Sequence, residues 1–258
     1  MKSLIVLKVG GNVIDQPLVL EAVLRDFAAR RSCRLLVHGG GKIAGKMMKD
    51  LGIEPKMVDG RRITDRQTLD IVTMVYAGLL NKNIVAALQS HTCNAIGLTG
   101  ADANIIPAKK RPVKDVDYGF VGDVEPGCIQ ADRLTGLLTA DLVPVIAPLT
   151  HDGAGMLLNT NADTIASSVA IALAKSFCVE LVYCFEKEGV LRNPEDDSSV
   201  IDFLDEALYS RYKDEGVITA GMIPKLDNAF AALRAGVDQI RICSPNGIQQ
   251  GGTKIRKK

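Results

Sequence analysis

The sequence has no excess of either charge. Its 31 Lys and Arg against 30 Asp and Glu leave a formal charge of +1 over 258 residues. A nucleic-acid binder takes its affinity from many phosphate contacts and needs a basic domain or stripe, so no nucleic-acid partner is expected. Long hydrophobic runs are also missing. Leu4 to Leu7 gives four apolar residues before Lys8, too few for a signal-peptide core. No apolar stretch approaches the roughly 20 residues of a membrane span, so a cytoplasmic protein without a membrane partner is expected. The six cysteines (Cys33, Cys93, Cys128, Cys178, Cys184, Cys243) form no C-x-x-C pair, and none has a histidine directly beside it. That spacing argues against disulfides or a protein-held metal and for buried, reduced thiols.

What is present is an ordinary globular composition, 47% hydrophobic and 24% charged, with 24 glycines, about 9% against a usual ~7%. The length suits one large domain or two small lobes. Short β-branched or Leu-rich runs alternate with segments of helical period, the pattern of βαβ units. The fold class is α/β, with a largely parallel central sheet. Nearly all-apolar strands, as expected where both faces are covered, are predicted at 4–9, 34–37, 95–99, 143–147, 179–185 and 239–243. Helices are predicted at 18–30, at 65–91 with Thr64 as N-cap, and at 162–174, 204–213 and 222–235. Residues 103–128 are irregular. Alternation from Tyr118 to Val124 suggests a surface hairpin suited to act as a lid, and the Lys109 to Lys114 cluster reads as a solvated loop. The pattern restarts after Lys175, which places a lobe boundary there. The terminal Thr-Lys-Ile-Arg-Lys-Lys reads as a frayed tail.

Glycines mark the candidate ligand site. Lys8-Val9-Gly10-Gly11-Asn12 ends the first strand, and Val37-His38-Gly39-Gly40-Gly41-Lys42 ends the second and opens a helix. Glycine leaves room for a ligand oxygen against the main chain, and a helix start offers free N–H groups and a favourable dipole to an anion. Two such turns side by side would make a phosphate cradle. Gly40 to Lys46 matches G-x-x-x-x-G-K, but Met47 stands where a P-loop needs Ser or Thr, and Gly45-Lys46 would fall inside the helix, so a P-loop is rejected. G-x-G-x-x-G is absent after every strand, which disfavours a nicotinamide dehydrogenase.

Basic residues beside the glycines suggest what handles phosphate. Lys8 is the only charge in an apolar strand and must meet an anion, either a carboxylate such as Asp163 or a transferred phosphoryl group. Arg62 carries a fork suited to a carboxylate. Asn159-Thr160-Asn161-Ala162-Asp163 supplies more short polar side chains than one helix cap requires. Lys225, at a helix start, opposes the dipole and invites an anionic ligand.

Lys-Val-Gly-Gly at 8–11, His-Gly-Gly-Gly at 38–41, Gly-Arg-Arg-Ile-Thr at 60–64, Asn-Thr-Asn-Ala-Asp at 159–163 and Gly-Met-Ile-Pro-Lys at 221–225 together resemble the amino acid kinase family, in its acetylglutamate branch. The match is in order and spans nearly the whole chain. The resemblance implies a three-layer α/β/α sandwich in two lobes, residues 1–175 for the amino acid and dimerisation and 176–258 for ATP. It implies phosphorylation of the side-chain carboxylate of an N-acyl-L-glutamate, N-acetyl or another acyl such as N-succinyl, by ATP with Mg2+, in arginine biosynthesis. By similarity, Gly40, Gly41, Arg62 and Asn159 would hold the acylglutamate. Lys8, Lys225 and Gly11 would stabilise the phosphoryl group, with Asp163 holding both lysines. Gly10, Gly11, Lys225, Glu186, Lys187, Glu188, Gly189, Val190, Leu191, Val217, Ile218 and Thr219 would form the nucleotide site.

Glu186 stands where the family commonly has an aspartate. The chain starts directly at its first strand, without the N-terminal helix of arginine-inhibited hexameric relatives, so a homodimer without arginine feedback is expected. The alternatives are a kinase of the same fold acting on glutamate, aspartate, carbamate or UMP, and a nucleotide-binding regulatory subunit without turnover.

Overall fold

The computed structural model describes residues 1–58, 60–218 and 222–257, leaving aside the side chains of Pro126 and Pro224. Eight strands form the main sheet: β1 (Lys2–Val9), β2 (Cys33–His38), β3 (Ala95–Leu98), β4 (Val143–Ile146), β5 (Phe177–Cys184), β6 (Phe203–Leu204), β7 (Gln239–Cys243) and β8 (Thr253–Ile255). Their order across the sheet is β6-β8-β7-β5-β1-β2-β4-β3. Every pairing is parallel except β7 with β8. The helices are α1 (Gly11–Ile14), α2 (Pro17–Ala28), α3 (Gly41–Asp50), α4 (Arg66–Ser90), α5 (Ala131–Thr139), α6 (Ala162–Leu173), α7 (Glu206–Asp214) and α8 (Ile223–Arg234).

Alternation along the strands divides the core into two layers. Leu4 and Val6 of β1 pack with Leu35 and Val37 of β2 against Ile165 and Val169 of α6, Leu134 of α5 and Leu226 and Phe230 of α8. Ile5, Leu7, Val9 and Leu36 face the other way, against Val23, Leu24 and Phe27 of α2, Ala44 and Met48 of α3, and Val72, Ile84 and Leu88 of α4. This is the expected three-layer α/β/α arrangement. The sheet is continuous across residue 175, because β5 pairs with β1 along its whole length.

Several expectations need correction. Asp65, not Thr64, caps α4, its carboxylate accepting from Thr68 N–H at 2.8 Å. Thr64 is buried and used elsewhere. By length and composition α4 could cross a membrane, contrary to the expectation that no stretch approaches that length. Its apolar stripe instead belongs to the core. The terminal segment is not frayed at Thr253–Ile255, which pair with β7. The strands of the expected hairpin are Lys109–Lys110 and Gly122–Asp123. Residues 118–120 do not form a free lid: Tyr118 C=O accepts from Thr64 N–H, and Phe120 N–H donates to Thr64 C=O. Arg111 is also not solvated, since Asp123 grips its guanidinium and its side chain is 18% exposed. Cys178 is exposed rather than buried, while all six thiols are free.

Candidate active site

In parallel α/β sheets, ligands bind beyond the carboxyl ends of the strands. Here β1, β2 and β5 end level, with Val9 opposite both His38 and Cys184. The chain leaves them through Gly10-Gly11, Gly39-Gly40-Gly41 and Phe185-Glu186. Gly10 N–H donates to Cys184 C=O and Gly39 N–H to Val9 C=O, both at 2.9 Å. A Cβ added at Gly11 would stand 3.9 Å from Gly40 N and 4.0 Å from Gly41 N, so the two glycine turns lie side by side as expected. Gly40 has φ 153°, and a Cβ there would collide with Leu80 and crowd the Tyr76 ring. Gly41 then opens the ten-residue α3 without a side-chain cap, leaving its first N–H groups for a ligand. Gly45 and Lys46 lie within α3 and not at its mouth, in agreement with the rejection of a P-loop.

Lys8 shares the β1 face of Leu4 and Val6, the face covered by α6. Its Nζ lies 2.8 Å from Asp163 Oδ1, in the first turn of that helix. The α6 cap is Asn161, whose Oδ1 accepts from Thr164 N–H at 3.0 Å. Asn159 and Asp163 are therefore spared for other work.

Arg62 belongs to a short ribbon, Met57–Val58 with Arg61–Arg62. Its Nη2 donates to Gly41 C=O at 2.8 Å. Thr64 links this segment to the next: its hydroxyl lies 3.2 Å from Arg62 C=O and accepts from Asn159 Nδ2 at 3.0 Å. Gly40, Gly41, Arg62 and Asn159 line one cavity of about 200 Å3, joined by Tyr76, Arg61 and Arg111. Tyr76 comes from a π-helical stretch of α4, Met74–Leu80, the kind of insertion that often marks functional positions. Burial raises its phenol pKa and keeps it protonated, although Arg62 opposes the shift.

A larger cleft of about 710 Å3 adjoins this cavity, sharing Gly41, Met57 and Arg62. Lys8, Gly10, Gly11 and Lys225 line it, and so do Lys42, Lys46 and Lys49 of α3, which sequence reasoning missed. Their spacing of four and three places them on one helix face, but nothing in the sequence says that this face looks onto the site. Glu186 is the one acidic residue among the described lining. Partial burial opposes its ionisation, yet its own N–H, the Asn12 side chain and the Lys225 and Lys42 ammonium groups hold its pKa below the usual carboxylate value.

Lys225 Nζ lies 4.3 Å above the Phe185 ring. Among the described residues no ion pair joins it to Asp163, although both line a further cavity of about 190 Å3. The expected nucleotide segments are less uniform. Lys187 pairs with Asp197 at 3.0 Å, and Glu188 accepts from the Ser244 hydroxyl at 2.8 Å. A Cβ at Gly189 would press on Thr253. Val190, Leu191 and Ile218 turn their side chains into the interior; Val190 N–H donates to the Thr253 hydroxyl and its C=O accepts from Ile201 N–H, while Val217 and Ile218 N–H both donate to Tyr212 C=O. Thr219 lies outside the described residues.

The model of the amino acid kinase family matches residues 3–244. An acetylglutamate kinase of Cytophaga hutchinsonii is 57% identical over 249 residues, 96% of this chain and 94% of its own. One from Bacteroides fragilis is 56% identical over 257 residues, 99% and 98% of the two chains. The solved smu.665 protein of Streptococcus mutans is 30% identical with a TM-score of 0.79, over 99% of both chains. On the family match over residues 3–244 and these relatives, the chain belongs to the amino acid kinase family, among its acetylglutamate kinases.

Proposed function

We propose that the chain transfers the γ-phosphoryl group of ATP to the side-chain carboxylate of an N-acyl-L-glutamate, N-acetyl being the group its relatives are named for. The observation that carries this reading is the junction of two compartments. One is a cavity of about 200 Å3 bearing guanidinium groups, and the other is a lysine-lined cleft that meets it at Gly41 and Arg62. A dicarboxylate in the first compartment can present one end to a polyphosphate in the second.

No general base is needed, because a carboxylate of pKa about 4 is ionised at neutral pH. The obstacle is repulsion between two anions, and positioned cations and N–H dipoles reduce it. In this reading Arg62, Asn159 and the main chain of Gly40 and Gly41 hold the acylglutamate. Lys8 sits where charge builds up on the phosphoryl oxygens, aimed by Asp163 between turnovers, and the Gly11 N–H adds a donor. Lys225 approaches from the other wall. Gly10, Glu186 and the chain at 187–191 and 217–218 border the nucleotide. Mg2+ would come with the β- and γ-phosphate oxygens, whose charge it neutralises. The carboxylates near it would be Glu186 and Asp163 on the walls, a donor set that suits an ion held mainly by phosphate.

The reading extends to two lobes, 1–175 for acylglutamate and 176–258 for ATP, and to a cytoplasmic homodimer. Met74 and Leu79, exposed on α4, offer apolar surface for the dimer contact. ADP release with N-acetyl-L-glutamate, free glutamate, aspartate, carbamate and UMP tests the function, with hydroxylamine trapping of the acyl phosphate. Turnover restricted to the acylglutamate is expected; turnover with another acceptor instead, or ATP binding without ADP release, would refute it.

A further inference from the structure

Lys42, Lys46 and Lys49 stand in a row along α3. All three are exposed and line the large cleft, while Ala44 and Met48, between them in sequence, are buried against the core. None of the three has a carboxylate partner among the described residues, where the paired lysines are Lys8, Lys109 and Lys187. Like charges three and four residues apart repel one another on a helix. The helix dipole favours Lys49 in the last turn but opposes Lys42 in the first. A row of cations set against its own neighbours favours an anion laid along it.

The cleft gives the row a direction. Its described lining carries six cations, Lys8, Arg62, Lys225 and the three of α3, against the single carboxylate of Glu186. Lys225 and Lys42 both help to hold Glu186 in its charged form. Lys46 and Lys49 lie one and two turns farther along α3, so the row extends over about 10 Å of helix axis. It leads away from Glu186, where the expected nucleotide segments begin. A nucleotide bordered by 187–191 and 217–218 turns its nucleoside toward those segments and leaves Lys46 and Lys49 unmatched. A linear inorganic polyphosphate has no nucleoside and carries charge on every phosphate, so it can start beside Lys8 and Lys225 and continue along α3.

We propose that Lys46 and Lys49 extend the cleft into a binding site for linear inorganic polyphosphate, which enters at the positions of the donor's phosphates and excludes ATP. The site goes beyond the kinase reading and rests on it only for the competition with ATP. No bond is made or broken; the anion blocks the cleft by occupying it.

Calorimetric titration with sodium tripolyphosphate and with sodium pyrophosphate measures binding without a nucleotide, at low ionic strength because salt screens exposed charges. ADP release with N-acetyl-L-glutamate at rising tripolyphosphate measures the competition. Tripolyphosphate is expected to bind more tightly than pyrophosphate and to raise KM for ATP with kcat unchanged. In Lys46→Met/Lys49→Met its affinity should fall roughly five- to thirtyfold, the range for two exposed ion pairs, while KM for ATP stays within about twofold. Absence of tripolyphosphate binding to the wild type overturns the proposal, and so does an affinity that the double variant leaves unchanged. Equal losses for ATP and tripolyphosphate would also overturn it, by assigning the two lysines to the nucleotide. Lys175, exposed at the opposite end of β5, controls for net charge; an equal weakening in Lys175→Met would remove the site from α3. Absence of ADP release by the wild type would refute the kinase reading, and the titration, which uses no nucleotide, would still decide the polyphosphate site.

Discussion

His38 makes the chain sensitive to acid in a way that can be calculated. It is fully buried at the end of β2, directly before the glycine turn that opens α3. Desolvation lowers its pKa from 6.5 to about 4, against a hydrogen bond to Gly39 C=O that favours the charged form. The neighbours agree with a neutral ring. Nδ1 lies 2.8 Å from Gly39 C=O, so it carries the proton, and Nε2 accepts from Asn81 Nδ2 at 3.3 Å, whose other hydrogen goes to Val145 C=O. A proton on Nε2 would set two donors against each other.

Because the folded pKa lies below the unfolded one, the unfolded chain takes up the proton first as pH falls. Nothing is lost above about pH 6.5, and stability then declines down to about pH 4, by roughly 3 kcal/mol in all and roughly 2 kcal/mol by about pH 5. Urea denaturation of the wild type and His38→Gln, at about pH 7 and about pH 5, measures it. The variant starts less stable, having lost a fitted ring, but its decline with acid should be smaller by about 2 kcal/mol. Equal declines in the two proteins would refute the assignment of a neutral, proton-excluding His38.

Lys8→Ala should lower kcat by a hundredfold or more, the scale of about 3 kcal/mol for a lost transition-state donor, while circular dichroism stays unchanged because Asp163 is partly exposed and can be solvated. Wild-type turnover in that variant would contradict the role given to Lys8. Arg62→Ala should raise KM for the acylglutamate roughly ten- to a hundredfold, and a change confined to KM for ATP would count against it. Gly40→Ala should yield a destabilised, inactive chain, because the new methyl meets Leu80 and Tyr76; a thermal melt matching wild type would contradict the packing described for this turn.

Much of this was legible in the sequence where one physical demand dominates. Strands buried on both faces cannot avoid being apolar, so β1 to β5 and β7 stand within a few residues of their expected limits, whereas the two-residue β6 ends on Leu204, which sequence reasoning placed at the start of a helix. Lys8 announced its need for an anion, and Asp163 answers it at 2.8 Å. Less was legible where a role depends on who stands opposite. Thr64 looks like a cap but is buried as the link between Arg62 and Asn159. Arg111 sits in a run that any composition rule assigns to solvent, and Asp123, twelve residues away, fixes its guanidinium. The π-helical stretch that sets Tyr76 beside Gly40 leaves no periodic signature. In the short α1 and in α5 the apolar pattern is too brief to separate from loop.

The place of β1 in the sheet also constrains how the chain is made. Lys2 pairs with Phe177 and Val9 with Cys184, so β1 waits for β5, more than 160 residues further along the chain, before both its edges are covered. Long-range parallel pairing of this kind is slow, and a ribosome adds roughly 5–20 residues each second. The emerging chain therefore carries an open, apolar strand edge for many seconds. A fragment ending at residue 175 would keep that edge permanently, with the strand that bears Lys8 exposed along one side to other chains. The segments before and after residue 175 are one unit during folding, and the protein commits to its active site only when most of its length has been translated.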